Sequence, residues 1–176
     1  MSKTADTQGG PVIKTARLTL RAARQSDLTD LHAVYADPRA MRYWSNPPHP
    51  DLSVTQAWLD SLIASSDPYL SYFVFEYEGR AIGTGGMHKP YEVGFILHSD
   101  FWRMGLGREA MTAINAYLFD TNDTAELTAD ADPRNAASVE LLKSLGFVET
   151  GRAENTFCVN GEWSDSVYFA LPRPKG

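Results

Sequence analysis

The chain has 176 residues and a single cysteine, Cys158, so no disulfide can form within it. One unpaired thiol fits a protein kept in a reducing compartment. The sequence also lacks a long apolar run; nothing in it approaches the roughly 20 residues that span a bilayer. Its opening, MSKTADTQGG, is polar and has none of the apolar core of a targeting peptide. Together these absences predict a cytoplasmic protein with no membrane contact. Positive charge is scarce as well. Lys and Arg number 16 against 22 Asp and Glu, for a net charge of −6. Nucleic acids and anionic membranes are bound through basic patches, so neither is expected as a partner. A basic acceptor, such as an amine, is compatible with the acidic balance. The histidines have no spacing to a cysteine or an acid pair that would hold a metal, and no metal is expected.

What is present is ordinary globular material, 43% hydrophobic and 22% charged, in the size range of one domain. Residues 1–14 are expected to form a flexible tail and residues 15–176 a single domain. Arg17 to Ala22 alternates as a strand does. Ser26 is placed to cap a helix that carries Leu28, Leu31 and Val34. Asp37-Pro38 ends that helix, SNPPHP at 45–50 is loop, and Val54, Trp58 and Leu62 mark a second helix. Three strand-like runs follow, at 71–77, 81–88 and 91–97, joined by short turns as an antiparallel meander. The remainder alternates: helix 105–120, strand 125–129, helix 135–145 ending at Gly146, then short strands at 147–148 and 166–171. This is an α/β (α+β) arrangement, a mixed and largely antiparallel central sheet flanked by helices.

The most informative segment is FWRMGLGREA, from Phe101 to Ala110. It follows a strand and opens an amphipathic helix. Gly105 and Gly107 remove side chains where backbone N–H groups would approach an anion, and the first helical turn offers its free N–H groups and the positive end of the helix dipole. Arg103 and Arg108 add charge. Alone, a G-x-G at such a junction also reads as a tight turn. It is neither a dinucleotide fingerprint, since Ala110 stands at the third glycine position, nor a Walker A loop.

Three segments in order carry a resemblance: EVGFIL from Glu92, WRMGLGREA from Trp102, and NAASVELLKSLGF from Asn135. With TARLTLR from Thr15 and WSDSVYFAL from Trp163, the chain from about residue 14 onward resembles the GNAT acetyltransferases. It is most similar to their RimJ/RimL-like branch. The resemblance implies an N-acetyltransferase that takes acetyl-CoA as co-substrate and passes the acetyl group directly to a protein α-amine or a small-molecule amine. Arg103, Met104, Gly105, Leu106, Gly107 and Arg108 would cradle the pyrophosphate. The strand at Phe95, Ile96 and Leu97 would pair with the pantetheine arm as an added strand and supply an oxyanion donor.

For the proton chemistry, Glu92 matches the strand position of the family's base, although its residue type and spacing also fit an outward surface carboxylate. Ser138 would serve the departing thiolate, and Asn135 would orient the cofactor; Asn135 equally fits a plain helix N-cap and Ser138 an exposed first-turn serine. Three departures stand out, one of them Met104, where Lys or Arg often precedes the first glycine and the charge here sits at Arg103. The loop opens on Trp102 where Gln or Arg is usual, as is common in this branch. The position that often holds a general-acid tyrosine is Leu142. A non-catalytic acyl-CoA-binding module is the alternative from another class. Tyr43-Trp44 and Tyr69 to Phe75 fit an aromatic acceptor wall or core. His88 stands near the acceptor side at a strand end, Asp165 reads as a turn residue, and a homodimer is left open.

Overall fold

The computed structural model describes residues 10–176. Eight strands form one sheet: β1 (Ile13–Lys14), β2 (Leu18–Arg21), β3 (Ser71–Tyr77), β4 (Arg80–Lys89), β5 (Glu92–Leu97), β6 (Glu126–Ala131), β7 (Val148–Val159) and β8 (Glu162–Pro172). Their spatial order is β1-β2-β3-β4-β5-β6-β8-β7. Every pairing is antiparallel except β5 with β6. Four helices cover it: α1 (Leu28–Tyr35), α2 (Leu52–Ala64), α3 (Leu106–Thr121) and α4 (Ala136–Ser144). This is the mixed, largely antiparallel sheet flanked by helices that the sequence pattern predicts.

The alternation of the strands sorts the core into two layers. Leu20, Phe73, Phe75, Met87, Val93 and Leu127 face α3, whose Leu106, Ala110, Met111, Ile114 and Leu118 are fully buried against them. Val74 and Ala81 face Leu31 and Leu59 of α1 and α2, while Ile96 packs with Val34, Tyr35 and Met41. In the second layer the Tyr35 hydroxyl meets the Thr84 hydroxyl at 2.8 Å.

Several local expectations shift. Ile13 and Lys14, placed in the tail by sequence, pair with Leu20 and Thr19; residues 1–9 of that tail lie outside the described residues. Ser26 does not cap α1. The chain makes a short 3-10 turn over Gln25–Asp27 instead, because the Asp27 carboxylate is held by the Arg21 guanidinium at 2.8 Å and by the Arg24 N–H at 2.8 Å. The inward row of α2 is Thr55 and Leu59, and Val54 is exposed. Thr55 is polar, so periodicity passed it over. Its hydroxyl is buried between His32 Nδ1 at 2.7 Å and His49 Nδ1 at 2.8 Å, which assigns both rings to structure.

The largest revision is the C-terminal hairpin. In place of two short strands, β7 and β8 are 12 and 11 residues long. They turn at Asn160-Gly161, whose φ values of 51° and 81° are the left-handed pair a tight hairpin turn requires. Asn-Gly was the available signal. The strands escaped notice because much of their surface is exposed and polar, which breaks the apolar alternation.

Candidate active site

β5 and β6 run parallel but stay together for one step, Glu92 with Thr128, where the Thr128 N–H donates to the Tyr91 carbonyl at 2.8 Å. Beyond it they part. The free edge of β5 follows from ladder parity. His98 N–H donates to Ile82 C=O at 2.9 Å, and antiparallel pairing alternates from there. Gly94 and Ile96 therefore spend their backbone groups on β4; a Cβ on Gly83 would run into the Ile96 carbonyl. Phe95 and Leu97 turn theirs toward the gap. The Leu97 carbonyl accepts the Trp102 indole N–H at 2.8 Å, while the N–H groups of Phe95 and Leu97 face the gap without a strand partner. Of the three residues predicted to meet the pantetheine, Phe95 and Leu97 present backbone to the gap, and Ile96 presents a buried side chain to the opposite layer.

Parallel strands put their C-terminal ends at one edge, and both following helices start there. The α3 loop is exposed from Trp102 to Gly105. Arg103 and Gly105 both hold left-handed φ, 61° and 75°. For arginine this conformation costs roughly 1–2 kcal/mol, the sort of strain that persists where a loop must aim backbone donors. Arg103 and Arg108 have no ion-pair partner among the described residues, so their charge is available to a ligand. Leu106 is buried and anchors the first turn. Gly107 has a second duty: a Cβ there would sit 3.3 Å from Leu141 of α4, so its bareness also sets how closely the two helices approach. Trp102 is fixed from both sides, by Leu97 and by the Arg39 guanidinium 5.2 Å above its ring.

At the neighbouring helix, Asn135 Oδ1 accepts the Ser138 backbone N–H at 3.2 Å, capping α4. The Ser138 hydroxyl is half-buried and unclaimed by any described residue. α4 thus presents a second helix N-terminus to the same edge. Glu92 lies at the far, closed end of the gap, about 16 Å along β5 from Leu97. It shares the α1/α2 face with Gly94 and Ile96. There His88 Nε2 stands 3.5 Å and Lys89 Nζ 3.7 Å from its carboxylate. Burial lowers the His88 pKa; Glu92 and Asp130 oppose that shift and Lys89 adds to it. The net effect favours the neutral ring.

An open cleft of about 430 Å³ lies between the α1–α2 loop and the β7–β8 turn. The loop between α1 and α2 forms one wall with Met41, Trp44 and Pro47, and the β7–β8 turn forms the other with Val159, Asn160 and Glu162. Of the expected aromatic wall, Trp44 lines the cleft and Tyr43 lies beneath the Arg42 and Arg134 guanidiniums. Phe73 and Phe75 are core.

Sequence inspection missed two clusters. One joins Asp132, Arg134, Glu162 and Arg42. Arg134 binds Asp132 at 2.6 Å and Glu162 at 2.7 Å, and Arg42 reaches Glu162 at 3.2 Å. Burial pushes the Asp132 carboxyl up, but Arg134 outweighs it and holds the pKa below its usual value. The other joins Thr15, Arg17 and Glu109. Neither has a spacing signal, because its members come from segments far apart in the chain. Asp165 is a β8 residue whose carboxylate takes the Asn155 N–H at 2.9 Å. Cys158 is exposed on β7. Among the described residues no group of His, Cys, Asp and Glu is arranged to hold a metal, and no helix is long and apolar enough to cross a membrane.

Residues 17–148 match the family model described as the acetyltransferase (GNAT) domain. Over 90 residues, 51% of this chain and 46% of the relative, the sequence is 33% identical to the [ribosomal protein uS5]-alanine N-acetyltransferase of Escherichia coli K12. Over 158 residues, 86% of this chain and 84% of the relative, it is 23% identical to the spermidine N(1)-acetyltransferase of the same organism. Among solved structures, RimL, a ribosomal L7/L12 α-N-protein acetyltransferase in complex with coenzyme A, superposes with a TM-score of 0.80 at 18% identity, covering 92% of this chain and 98% of that one.

Proposed function

The chain belongs to the GNAT acetyltransferase family, in its RimJ/RimL-like branch, and on that premise we propose that it moves an acetyl group from acetyl-CoA directly to an amine. The observation that carries the proposal is the loop at Arg103–Arg108. It is exposed from Arg103 to Gly105, strained and doubly cationic, and it opens α3 at the edge where β5 leaves β6.

The residues divide the work as follows. The loop N–H groups, Arg103 and Arg108 hold the pyrophosphate, with the α3 dipole behind them. The freed edge of β5 at Phe95 and Leu97 takes the amides of the pantetheine arm as a further strand would. Asn135 keeps the first turn of α4 aimed at the same gap. The amine nitrogen attacks the thioester carbonyl, so a C–N bond forms and the C–S bond breaks through a tetrahedral intermediate. A β5 N–H steadies the oxyanion, an effect worth a few kcal/mol. Glu92 takes the amine's proton, directly or through water, and Ser138 hydrogen-bonds the departing thiolate, which with a pKa near 8.5 takes up a proton from water.

An α-amine is the better acceptor on two counts. With a pKa near 8 it is about ten per cent neutral at pH 7, whereas a lysine-type amine near 10.4 is almost wholly charged. A polyamine also needs carboxylates for its further ammonium groups. The cleft's one lining acid, Glu162, is occupied by Arg42 and Arg134. The name of the uS5-alanine relative agrees with this choice.

The test is a thermal-shift comparison of acetyl-CoA, CoA, ATP and NAD. A ligand at 100 times its Kd stabilises by about 2.7 kcal/mol, a rise of a few degrees for a domain this size. A shift with CoA species alone supports the assignment; an equal shift with ATP or NAD overturns it. Thiol release from acetyl-CoA with an alanine-initiated peptide and with spermidine then ranks the acceptors. CoA binding with no release for either would favour a binding module.

A further inference from the structure

Thr15 and Arg17 precede β2 and lie some ninety positions before α3, yet they close onto its first turn. Arg17 Nε donates to Glu109 Oε2 at 2.7 Å and Nη1 donates to the Met104 carbonyl at 2.8 Å. The Thr15 hydroxyl and the Arg17 backbone N–H both donate to Glu109 Oε1 at 2.7 Å. Nη2 has no hydrogen-bond partner among the described residues. It lies 3.5 Å from where a side chain on Gly105 would begin.

The cluster answers an electrostatic puzzle. An anion site at a helix N-terminus is weakened by a carboxylate in the same turn, and α3 carries Glu109 there. Three donors, one of them the Arg17 guanidinium, engage that carboxylate. Burial raises the Glu109 pKa, but Thr15 and Arg17 outweigh burial and keep it below the usual glutamate value. Glu109 is therefore an ion neutralised in place, which leaves the field of the loop positive. The same guanidinium draws the Met104 carbonyl toward Arg17. A carbonyl facing the ligand would repel phosphate oxygens; one held by Arg17 leaves the following N–H groups to face them.

We propose that Arg17 is the third cation of the phosphate site, holding the Met104–Gly105 turn through one arm of its fork and offering Nη2 to a phosphate oxygen beside Gly105. The inference rests on the cofactor assignment above and adds a residue outside the loop to it. The guanidinium fork makes this possible. Lysine supplies charge but cannot hold Glu109, Met104 and a phosphate at once.

Calorimetric titration with CoA, and separately with pantetheine, which lacks the pyrophosphate, tests this. Arg17→Ala is expected to weaken CoA about tenfold, or 1.4 kcal/mol, and to leave pantetheine unchanged. Arg17→Lys should recover part of the loss. Glu109→Gln in the Arg17→Ala background should regain about threefold, because it removes the uncompensated charge. An unchanged CoA affinity in Arg17→Ala overturns the proposal. So does an equal loss for CoA and pantetheine, which would mean that Arg17 supports the fold alone. Absence of CoA binding by the unaltered protein would instead overturn the cofactor assignment, and that is visible before any variant is made.

Discussion

The His88 ring lies across β5 at Gly94: its Nε2 is 3.5 Å from Glu92 Oε1 and 3.2 Å from the point where a Gly94 side chain would begin. The missing side chain at Gly94 lets the imidazole pack on β5 next to Phe95 and stand beside the Glu92 carboxylate. Glu92→Gln is expected to lower kcat/KM by about a hundredfold or more, the span of general base catalysis, with CoA affinity unchanged. Gly94→Ala should press the ring aside and lower turnover too. Steady-state rates and a CoA titration check both, and full activity in Glu92→Gln would move the base role elsewhere.

Gly105→Glu is expected to abolish CoA binding without unfolding the domain. The position faces open space apart from Arg17 Nη2 at 3.5 Å, so the new carboxylate would sit in the cradle and engage Arg17. The left-handed φ of 75° adds strain of about 1–2 kcal/mol, which should lower Tm by several degrees and no more. Circular dichroism melts with and without CoA separate the two effects. Retained CoA affinity would refute the loop's role.

Ser138→Ala should reduce kcat more than cofactor affinity, because the hydroxyl is free to meet the sulfur while its backbone N–H is already committed to the Asn135 cap. Asn135→Ala should instead cost about 1 kcal/mol of stability, the usual price of a lost cap, together with affinity. Equal losses in kcat and affinity for Ser138→Ala would indicate a binding role.

Acid stability has a predictable window. Glu109 and Asp132 are held below their ordinary values of 4.5 and 3.8 in the folded protein, Glu109 by Thr15 and Arg17 and Asp132 by Arg134. In the unfolded chain they bind protons more readily. Their contribution is therefore complete above about pH 4.5 and is lost as pH falls through the lowered folded values. Urea midpoints measured from pH 7 downward should drop more steeply in the wild type than in Glu109→Gln. Parallel curves would show that the Arg17 clamp adds nothing to folding.

Much of this protein was determined by local chemistry that a linear reading can follow. The periodic apolar rows of α3 and α4, the aromatic run of β3, the strand–glycine–helix turn at Arg103–Arg108 and the Asn135 cap depend on neighbours within a few residues, so their types and spacing suffice. The same holds for the class of the fold and for the family likeness.

Tertiary structure alone decided the rest, because it depends on segments that meet only after folding. Whether Phe95 or Ile96 shows its backbone to the gap is set by the register of β4. The gap itself exists because β6 leaves β5 after one pairing. Thr55 joined Leu59 in the inward row of α2 because His32 and His49 could satisfy it, and polar core positions of that kind carry no apolar signal. Arg17 reached Glu109 only when β2 was laid beside the start of α3. Charged pairs formed across such distances have no periodicity, so the clamp behind the phosphate loop becomes visible only in three dimensions.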